Sequence, residues 1–311
     1  MTIPIICIAG PTGTGKTAAS LLLVEGVRGA VVNFDSRQVY ADFPIITAQP
    51  TSEERSRCPH RLYGFLPLTR SMAAGAWADM ALDAVDELRG KGLTPIFVGG
   101  TGLYLKALLE PLAPIPAVPG ELRQRIQDLC DREGAPALHD RLRRVDPAYA
   151  GRIHPNDRQR VTRALEVYEH TKKPISCWHA EYQGTSPFRA LRLGLALDPE
   201  ELAPRLARRV DLMLDAGALI EARTAMAVSD DPDAPGWSGI GCAELLAHLR
   251  GDLTLDEART LWIRNTRAYA KRQMTWFRKD GVMRWYRPGE EGAMLDAARE
   301  FLEVREPEAG A

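Results

Sequence analysis

The chain has 311 residues, of which 45% are hydrophobic and 26% charged. That balance supports a sizeable core and excludes the disordered and collagen-like classes. Net charge is −1, and five scattered cysteines (Cys7, Cys58, Cys130, Cys177, Cys242) form no Cys-x-x-Cys pair, so neither a disulfide framework nor a zinc site is expected.

Ile3 to Ala9 is a short apolar run ended by glycines, Lys16 to Val27 is compatible with a helix, and Ala30 to Phe34 is a second apolar run. The pattern predicts strand, loop, helix, strand. No basic residue precedes Ile3, no cleavage pattern follows Ala9, and no apolar run could span a bilayer. A cytoplasmic protein without membrane association is expected. The loop Gly10-Pro11-Thr12-Gly13-Thr14-Gly15-Lys16-Thr17 matches G-x-x-x-x-G-K-[ST] without mismatch, in the strand-to-helix setting the motif requires. Glycines let the backbone curl so that its N–H groups point at phosphate oxygens, with the positive end of the next helix behind them. Lys16 neutralises phosphate charge, and the Thr17 hydroxyl helps hold Mg2+.

The motif by itself predicts a nucleotide hydrolase or kinase. In the common arrangement a later strand ends in an Asp that completes the magnesium site, but here Phe97-Val98 runs into Gly99-Gly100-Thr101. An acid follows the second strand instead: Asp35, in Asn33-Phe34-Asp35-Ser36-Arg37-Gln38. A carboxylate there faces the crevice where α/β proteins bind ligands and can take a substrate proton. The alternative is a helix N-cap.

Ser71 to Leu88 reads as a helix, Pro95 to Val98 as a third strand and Leu103 to Leu109 as a helix. This alternation predicts an α/β fold, a parallel sheet flanked by helices. The proline-rich stretch 111–120 reads as a linker. Glu121 to His170 holds only helix-like, charge-rich patterns, which predicts an all-helical insert. The division is residues 1–118 for the first part of the core, 119–185 for the insert and 186–311 for the second part. Within the last part, Leu191 to Leu197 reads as a returning strand, Arg205 to Thr224 as a helix and Ser229 to Gly236 as an exposed loop; Arg305 to Ala311 is expected to fray. Trp262 to Arg287 carries eight basic residues and one acid, Asp280, leaving −8 for the rest of the chain. Such local basicity points to a polyanion surface. At 100° per residue Arg264, Arg267, Lys271 and Arg278 form one stripe, with Trp262, Tyr269, Trp276 and Phe277 opposite, on the face expected to pack down.

These residues resemble the tRNA dimethylallyltransferase (tRNA isopentenyltransferase) family over nearly the whole chain. The resemblance rests on Asp35-Ser36-x-Gln38-Val39-Tyr40, on Val98-Gly99-Gly100-Thr101-Gly102-Leu103-Tyr104, on the run from Arg152-Ile153-His154-Pro155 to Ala164-Leu165-Glu166, and on Lys271-Arg272-Gln273-x-Thr275-Trp276-Phe277-Arg278. It implies a P-loop NTPase-like core whose helical insert grips the anticodon stem-loop. The implied donor is dimethylallyl diphosphate, and the implied acceptor is the adenosine 3′ to the anticodon. By resemblance, Asp35 is the general base, and Thr101 bonds the diphosphate or caps the following helix. Arg205 and Arg209 lie one helical turn apart on one face, so that one of them, Arg209 by preference, can join residues 10–17 in binding the diphosphate; the alternative is a solvated salt-bridge face. Contacts to tRNA fall on Asp35, Ser36, Arg37, Gln38, Thr101, Arg123, Gln159, Arg160, Arg163, Lys271, Arg272, Gln273 and Arg278. A monomer is expected. The chain departs from the family at Cys242-Ala243, where Tyr and Lys are more usual, and in Ile45 to Pro50, which carries Ile and Gln49 where Gly and Lys are more usual. Competing readings are an adenylate isopentenyltransferase acting on free nucleotide, a P-loop small-molecule kinase, and a nonenzymatic RNA-binding protein.

Overall fold

A computed structural model describes residues 2–110, 112–182 and 184–304. The stretch 305–311, expected to fray, and Pro111, which opens the proline-rich segment, lie outside the described residues. The chain divides into one unit of Met1–Leu109 with Ser186–Ala311 and a second of Glu110–Thr185.

In the first unit, β1 (Ile3–Ala9), β2 (Gly29–Asn33), β3 (His60–Arg61), β4 (Thr94–Gly99), β5 (Phe188–Leu195) and β6 (Arg284–Tyr286) form one parallel sheet in the order β3-β2-β4-β1-β5-β6. Strands with helices on both faces must be apolar on both sides, and β1 obeys: Ile5, Cys7 and Ala9 enter one core, Ile6 and Ile8 the other. Helices α1 (Lys16–Val27), α2 (Ser52–Arg57), α3 (Ala74–Gly90) and α4 (Gly102–Leu109) belong to this first half. Trp77 of α3 stacks on Tyr104 of α4, centroids 4.5 Å apart, which seats α4 against the face carrying Phe97.

The second unit is built from α5 (Gly120–Glu133), α6 (Ala135–Val145), α7 (Pro147–Ala150), α8 (Arg158–Thr171) and α9 (Ile175–Glu181), with no strand among its described residues. Its own core holds Ile126, Leu138, Leu142, Val161, Leu165 and Ile175.

Returning to the first unit, the chain forms α10 (Pro199–Asp215), α11 (Ala218–Val228), α12 (Cys242–Leu249), α13 (Leu255–Phe277) and α14 (Glu291–Glu303). The single helix expected over Arg205–Thr224 is two, because Gly217 at φ 102° takes a left-handed conformation that ends α10. The expected exposed loop before α12 is partly core: Ala234, Gly236 and Trp237 are buried. Helix α13 starts at a capping box in which Thr254 and Glu257 bond reciprocally, satisfying two otherwise orphaned N–H groups.

The end of β4 touches the end of β2 very closely. A methyl group on Gly99 would lie 2.5 Å from the carbonyl carbon of Phe34 and 2.6 Å from its oxygen, and backbone cannot yield as a flexible side chain does. Gly99→Ala is therefore expected to cost about 2–3 kcal/mol through overpacking. Gly75→Ala, in α3 with open space around it, should instead be neutral or stabilising by up to ~1 kcal/mol. Urea unfolding of both variants checks the contrast.

Candidate active site

The glycine-rich loop of residues 10–17 leaves β1 and enters α1. Gly10, Gly13 and Gly15 have φ of 147°, 83° and 88°, and a methyl at Gly10 would meet the Leu195 carbonyl oxygen at 2.4 Å. These two demands, left-handed backbone and contact with the end of β5, are what glycine satisfies. The Thr14 hydroxyl donates to the Pro11 carbonyl at 2.9 Å and so braces the loop. No side chain caps the start of α1, which leaves its first N–H groups available to an acceptor. The ammonium of Lys16 donates to the carbonyls of Gly10 (2.9 Å) and Pro11 (2.8 Å). Desolvation pushes its pKa down to about 8; Asp35 opposes that shift and Arg209 reinforces it. Thr17 is exposed on the first turn.

Asp35 sits past the end of β2, beside Asn33. The buried Asn33 amide donates to Leu62 O (2.9 Å) and Asp35 O (3.0 Å) and accepts from Asp35 N (2.7 Å), fixing the backbone turn. Asp35 Oδ1 accepts from the Arg37 N–H at 2.9 Å, and no helix follows, so Asp35 is not a helix cap. Thr101 does stand at the N-cap position of α4, its carbonyl accepting from the N–H groups of Tyr104 (3.0 Å) and Leu105 (3.2 Å), but its hydroxyl is turned to another partner. It accepts from Ser36 N (2.9 Å) and donates to Ser36 Oγ (3.2 Å), tying the end of β4 to the turn that carries Asp35. Arg37 donates to Ser238 Oγ at 2.8 Å, and Gln38 to the carbonyls of Thr47 (3.0 Å) and Ala48 (2.7 Å).

These elements enclose a cavity of about 240 Å³. Its polar lining includes Thr12, Asp35, Arg37, Arg209, Tyr269 and Arg272, with the hydroxyl residues Thr47, Ser238 and Thr266; its apolar lining is Ile46, Leu206, Val210, Met213, Ile240 and Trp262. Arg209 comes from α10, and burial holds its pKa below the usual guanidinium value while Asp35 pulls it back. Arg205, one turn earlier, is exposed and does not line the cavity. Tyr269 departs from expectation. It lines the cavity rather than packing into the core, and its phenol, within hydrogen-bonding reach of Thr101, is pushed up to about 12 by burial and by the charge of Asp35. The Arg272 guanidinium lies 5.6 Å from its ring centre, a cation–π distance. The sequence signal available for Tyr269 was its i, i+4 relation to Gln273 on one helix face.

Along α13, Arg264, Arg267, Lys271 and the capping Arg278 are exposed as a basic stripe, and Trp262 and Phe277 are buried. Trp276, also expected inside, is 38% exposed. Gln273, expected among the RNA contacts, is buried. The excess charge of the segment is smaller than counted, because Arg287 pairs with Glu201 (2.7 Å) and Asp198 (3.2 Å). In the second unit Arg123, Gln159 and Arg160 are exposed and Arg163 is partly so; Arg160 pairs with Asp157 at 2.9 Å and Arg163 with Glu166 at 3.5 Å. Of the unusual positions, Cys242 is buried in the core and Gln49 donates to the Tyr40 carbonyl at 2.7 Å from a buried position. Both are packing residues.

Among the described residues no group of three or more His, Cys, Asp or Glu could hold a metal. The oxygen donors near the loop, the Thr17 hydroxyl and the Asp35 carboxylate, fit a hard cation such as Mg2+, which takes few protein ligands and completes its shell with substrate phosphate and water. Among the described residues no helix is long and apolar enough to cross a membrane.

The sequence profile of the family described as IPP transferase matches residues 38–280. A tRNA dimethylallyltransferase of Nitratidesulfovibrio vulgaris (strain DSM 19637 / Miyazaki F) is 56% identical over 96% of this chain and 94% of its own, and one of Lawsonia intracellularis is 44% identical over 91% and 93%. The crystal structure of the full-length tRNA isopentenylpyrophosphate transferase of Bacillus halodurans is 33% identical, with a TM-score of 0.71 and 97% of each chain covered. A eukaryotic dimethylallyltransferase captured acting on tRNA is 30% identical, with a TM-score of 0.84 over 99% of this chain and 81% of its own. With matches of this extent across both halves of the core and the helical insert, the chain belongs to the IPP transferase family, together with the tRNA dimethylallyltransferases.

Proposed function

We propose that this protein transfers a dimethylallyl group from dimethylallyl diphosphate to the exocyclic amino nitrogen of the adenosine 3′ to the anticodon in tRNA, releasing diphosphate. The observation that carries this reading is a cavity with three kinds of wall, a carboxylate (Asp35), cations (Arg37, Arg209 and Arg272) and an apolar surface, which Thr12 joins to the loop at the uncapped start of α1. A prenyl diphosphate needs the last two and an amine acceptor needs the first.

In the reaction the allylic carbon–oxygen bond breaks with its electron pair passing to the diphosphate, and a carbon–nitrogen bond forms to adenine. The amino nitrogen is a weak nucleophile, its lone pair delocalised into the ring. Charge developing on the leaving group is stabilised by donors already in place: the loop N–H groups, Lys16 and Arg209. Thr17 would hold magnesium, and the ion when bound would supply further positive charge there. Ile46, Val210, Met213 and Trp262 cover the five-carbon chain and keep water from the electrophilic carbon. Asp35 takes the proton lost from the amino nitrogen, and Thr101 holds the turn that aims it. On the acceptor side, Arg123, Gln159, Arg160 and Arg163 of the helical unit and Lys271, Arg272 and Arg278 at α13 suit an RNA loop, where bases are splayed out and read by hydrogen bonding and stacking.

Two outcomes follow. Asp35→Asn keeps size and hydrogen bonding but removes basicity, so transfer from labelled donor into saturating tRNA should slow by about a hundredfold or more in single turnover; an unchanged rate would remove Asp35 from the role of base. The second concerns Lys16, whose pKa in the free loop is near 8. Its charged form binds diphosphate, so above pH 8 binding must take up a proton. Affinity for a non-cleavable prenyl diphosphate analogue should therefore fall as pH rises past 8, by up to about tenfold per unit. Lys16→Arg, charged throughout, should flatten that dependence, whereas equal slopes in both proteins would contradict the assignment.

A further inference from the structure

Gln273 is the buried member of an otherwise basic stretch of α13, 5% exposed between Arg272 and Met274. Its two amide atoms go to two different catalytic segments. Oε1 accepts from the N–H of Thr12 in the phosphate-binding loop at 3.1 Å, and Nε2 donates to the carbonyl of Gly100, just past β4, at 2.9 Å. The neighbouring peptide continues the connection, because Thr101 bonds both the N–H and the hydroxyl of Ser36, the residue after Asp35. The spacing is tight. A methyl at Gly100 would lie 2.1 Å from Nε2 of Gln273 and 3.3 Å from Oδ2 of Asp35.

We infer that Gln273 is a positioning residue that clips the phosphate-binding loop to the Gly100–Thr101 segment, setting the distance between the bound diphosphate and the Asp35 carboxylate. This rests on the diphosphate reading of the loop. Two facts favour it over a direct RNA contact, the role the resemblance implies. The side chain is out of reach of solvent, and both ends of its amide are already engaged. A side chain serving only to fill the core would not need an amide, and a buried amide is retained where both of its bonds are made. Transfer chemistry is sensitive to such placement, since a shift of about 1 Å between reacting groups costs roughly a hundredfold in rate.

The test uses Gln273→Met, which keeps length and flexibility but makes neither bond. Four quantities are measured on the full chain: pyrophosphate affinity with magnesium but without tRNA, single-turnover transfer at saturating tRNA and donor, tRNA affinity across several salt concentrations, and the thermal midpoint. The expected result is pyrophosphate binding weaker by about tenfold and transfer slower by about a hundredfold, with tRNA affinity and its salt slope within twofold of the parent. Weaker tRNA binding with transfer intact at saturation would make Gln273 an RNA contact and overturn the proposal. A lowered midpoint with unchanged pyrophosphate affinity and rate would make it a core filler, and would overturn the proposal equally. Gly100→Ala attacks the same clip from the other side without altering α13, so it serves if the first variant fails to fold. It should reproduce the pyrophosphate defect, and the double variant should be no worse than either single one, whereas additive losses would contradict a shared clip. Pyrophosphate binding needs no acceptor. A parent enzyme that binds pyrophosphate but modifies no tRNA would thus sink the proposed acceptor while leaving the clip to be judged on its own measurement.

Discussion

Lys16 and Arg209 share the single carboxylate of Asp35 at the crevice beyond β1 and β2, with Arg37 and Arg272 adding further positive charge to the cavity wall, and most of the site follows from that imbalance. Lys16 and Arg209 are each driven toward their neutral forms by desolvation, each is held charged by Asp35, and Arg209 further disfavours the charge on Lys16. One negative charge cannot satisfy this surplus of positive ones in a half-buried place. An anion bound there relieves the excess at once. Backbone N–H groups at the uncapped start of α1 add to the same demand. A leaving group that gains negative charge as its bond breaks suits this field better than a neutral ligand does.

The scaffold keeps that arrangement in place by satisfying it from several directions. Asn33 fixes the turn before Asp35 with three hydrogen bonds, Thr101 bonds the turn after it, and Gln38 holds the 47–48 segment that flanks the cavity. Glu221 accepts from the N–H groups of Ile45 (2.7 Å) and Ile46 (2.8 Å), and so presents Ile46 to the apolar wall. Helix α13 has two distinct faces in this scheme. Its basic stripe faces solvent while Trp262, Tyr269 and Gln273 face the cavity and the loop. In the proposed reading, acceptor and donor thus meet on one helix.

What was legible in the sequence was what chemistry confines to adjacent residues. The phosphate loop is eight consecutive positions with a fixed mechanism, and Asp35 stands where an apolar strand ends in a polar cluster. The parallel sheet was readable from β1, β2, β4 and β5, whose burial on both sides leaves unbroken apolar runs. Strands β3 and β6, two and three residues long, are too short to leave a period. The cavity wall was illegible for a different reason: Ile46, Val210, Ile240 and Trp262 come from four separate segments that only tertiary packing assembles. Tyr269 and Gln273 were misplaced because a helical wheel shows which residues share a face, yet cannot say whether that face meets core, cavity or loop. Charge counting misled at Arg287, since its partners Asp198 and Glu201 are remote in sequence.

The central claim is the identity of donor and acceptor, and product analysis tests it most directly. The protein is incubated with magnesium and dimethylallyl diphosphate beside either tRNA or free adenosine monophosphate, and the nucleosides are then separated and weighed by mass spectrometry. This account predicts an adenosine heavier by one dimethylallyl group, in place of one hydrogen, in digested tRNA alone, mapped next to the anticodon and matched by released diphosphate. Prenylated free nucleotide with unmodified tRNA would contradict it, as would consumption of a nucleoside triphosphate without prenyl transfer.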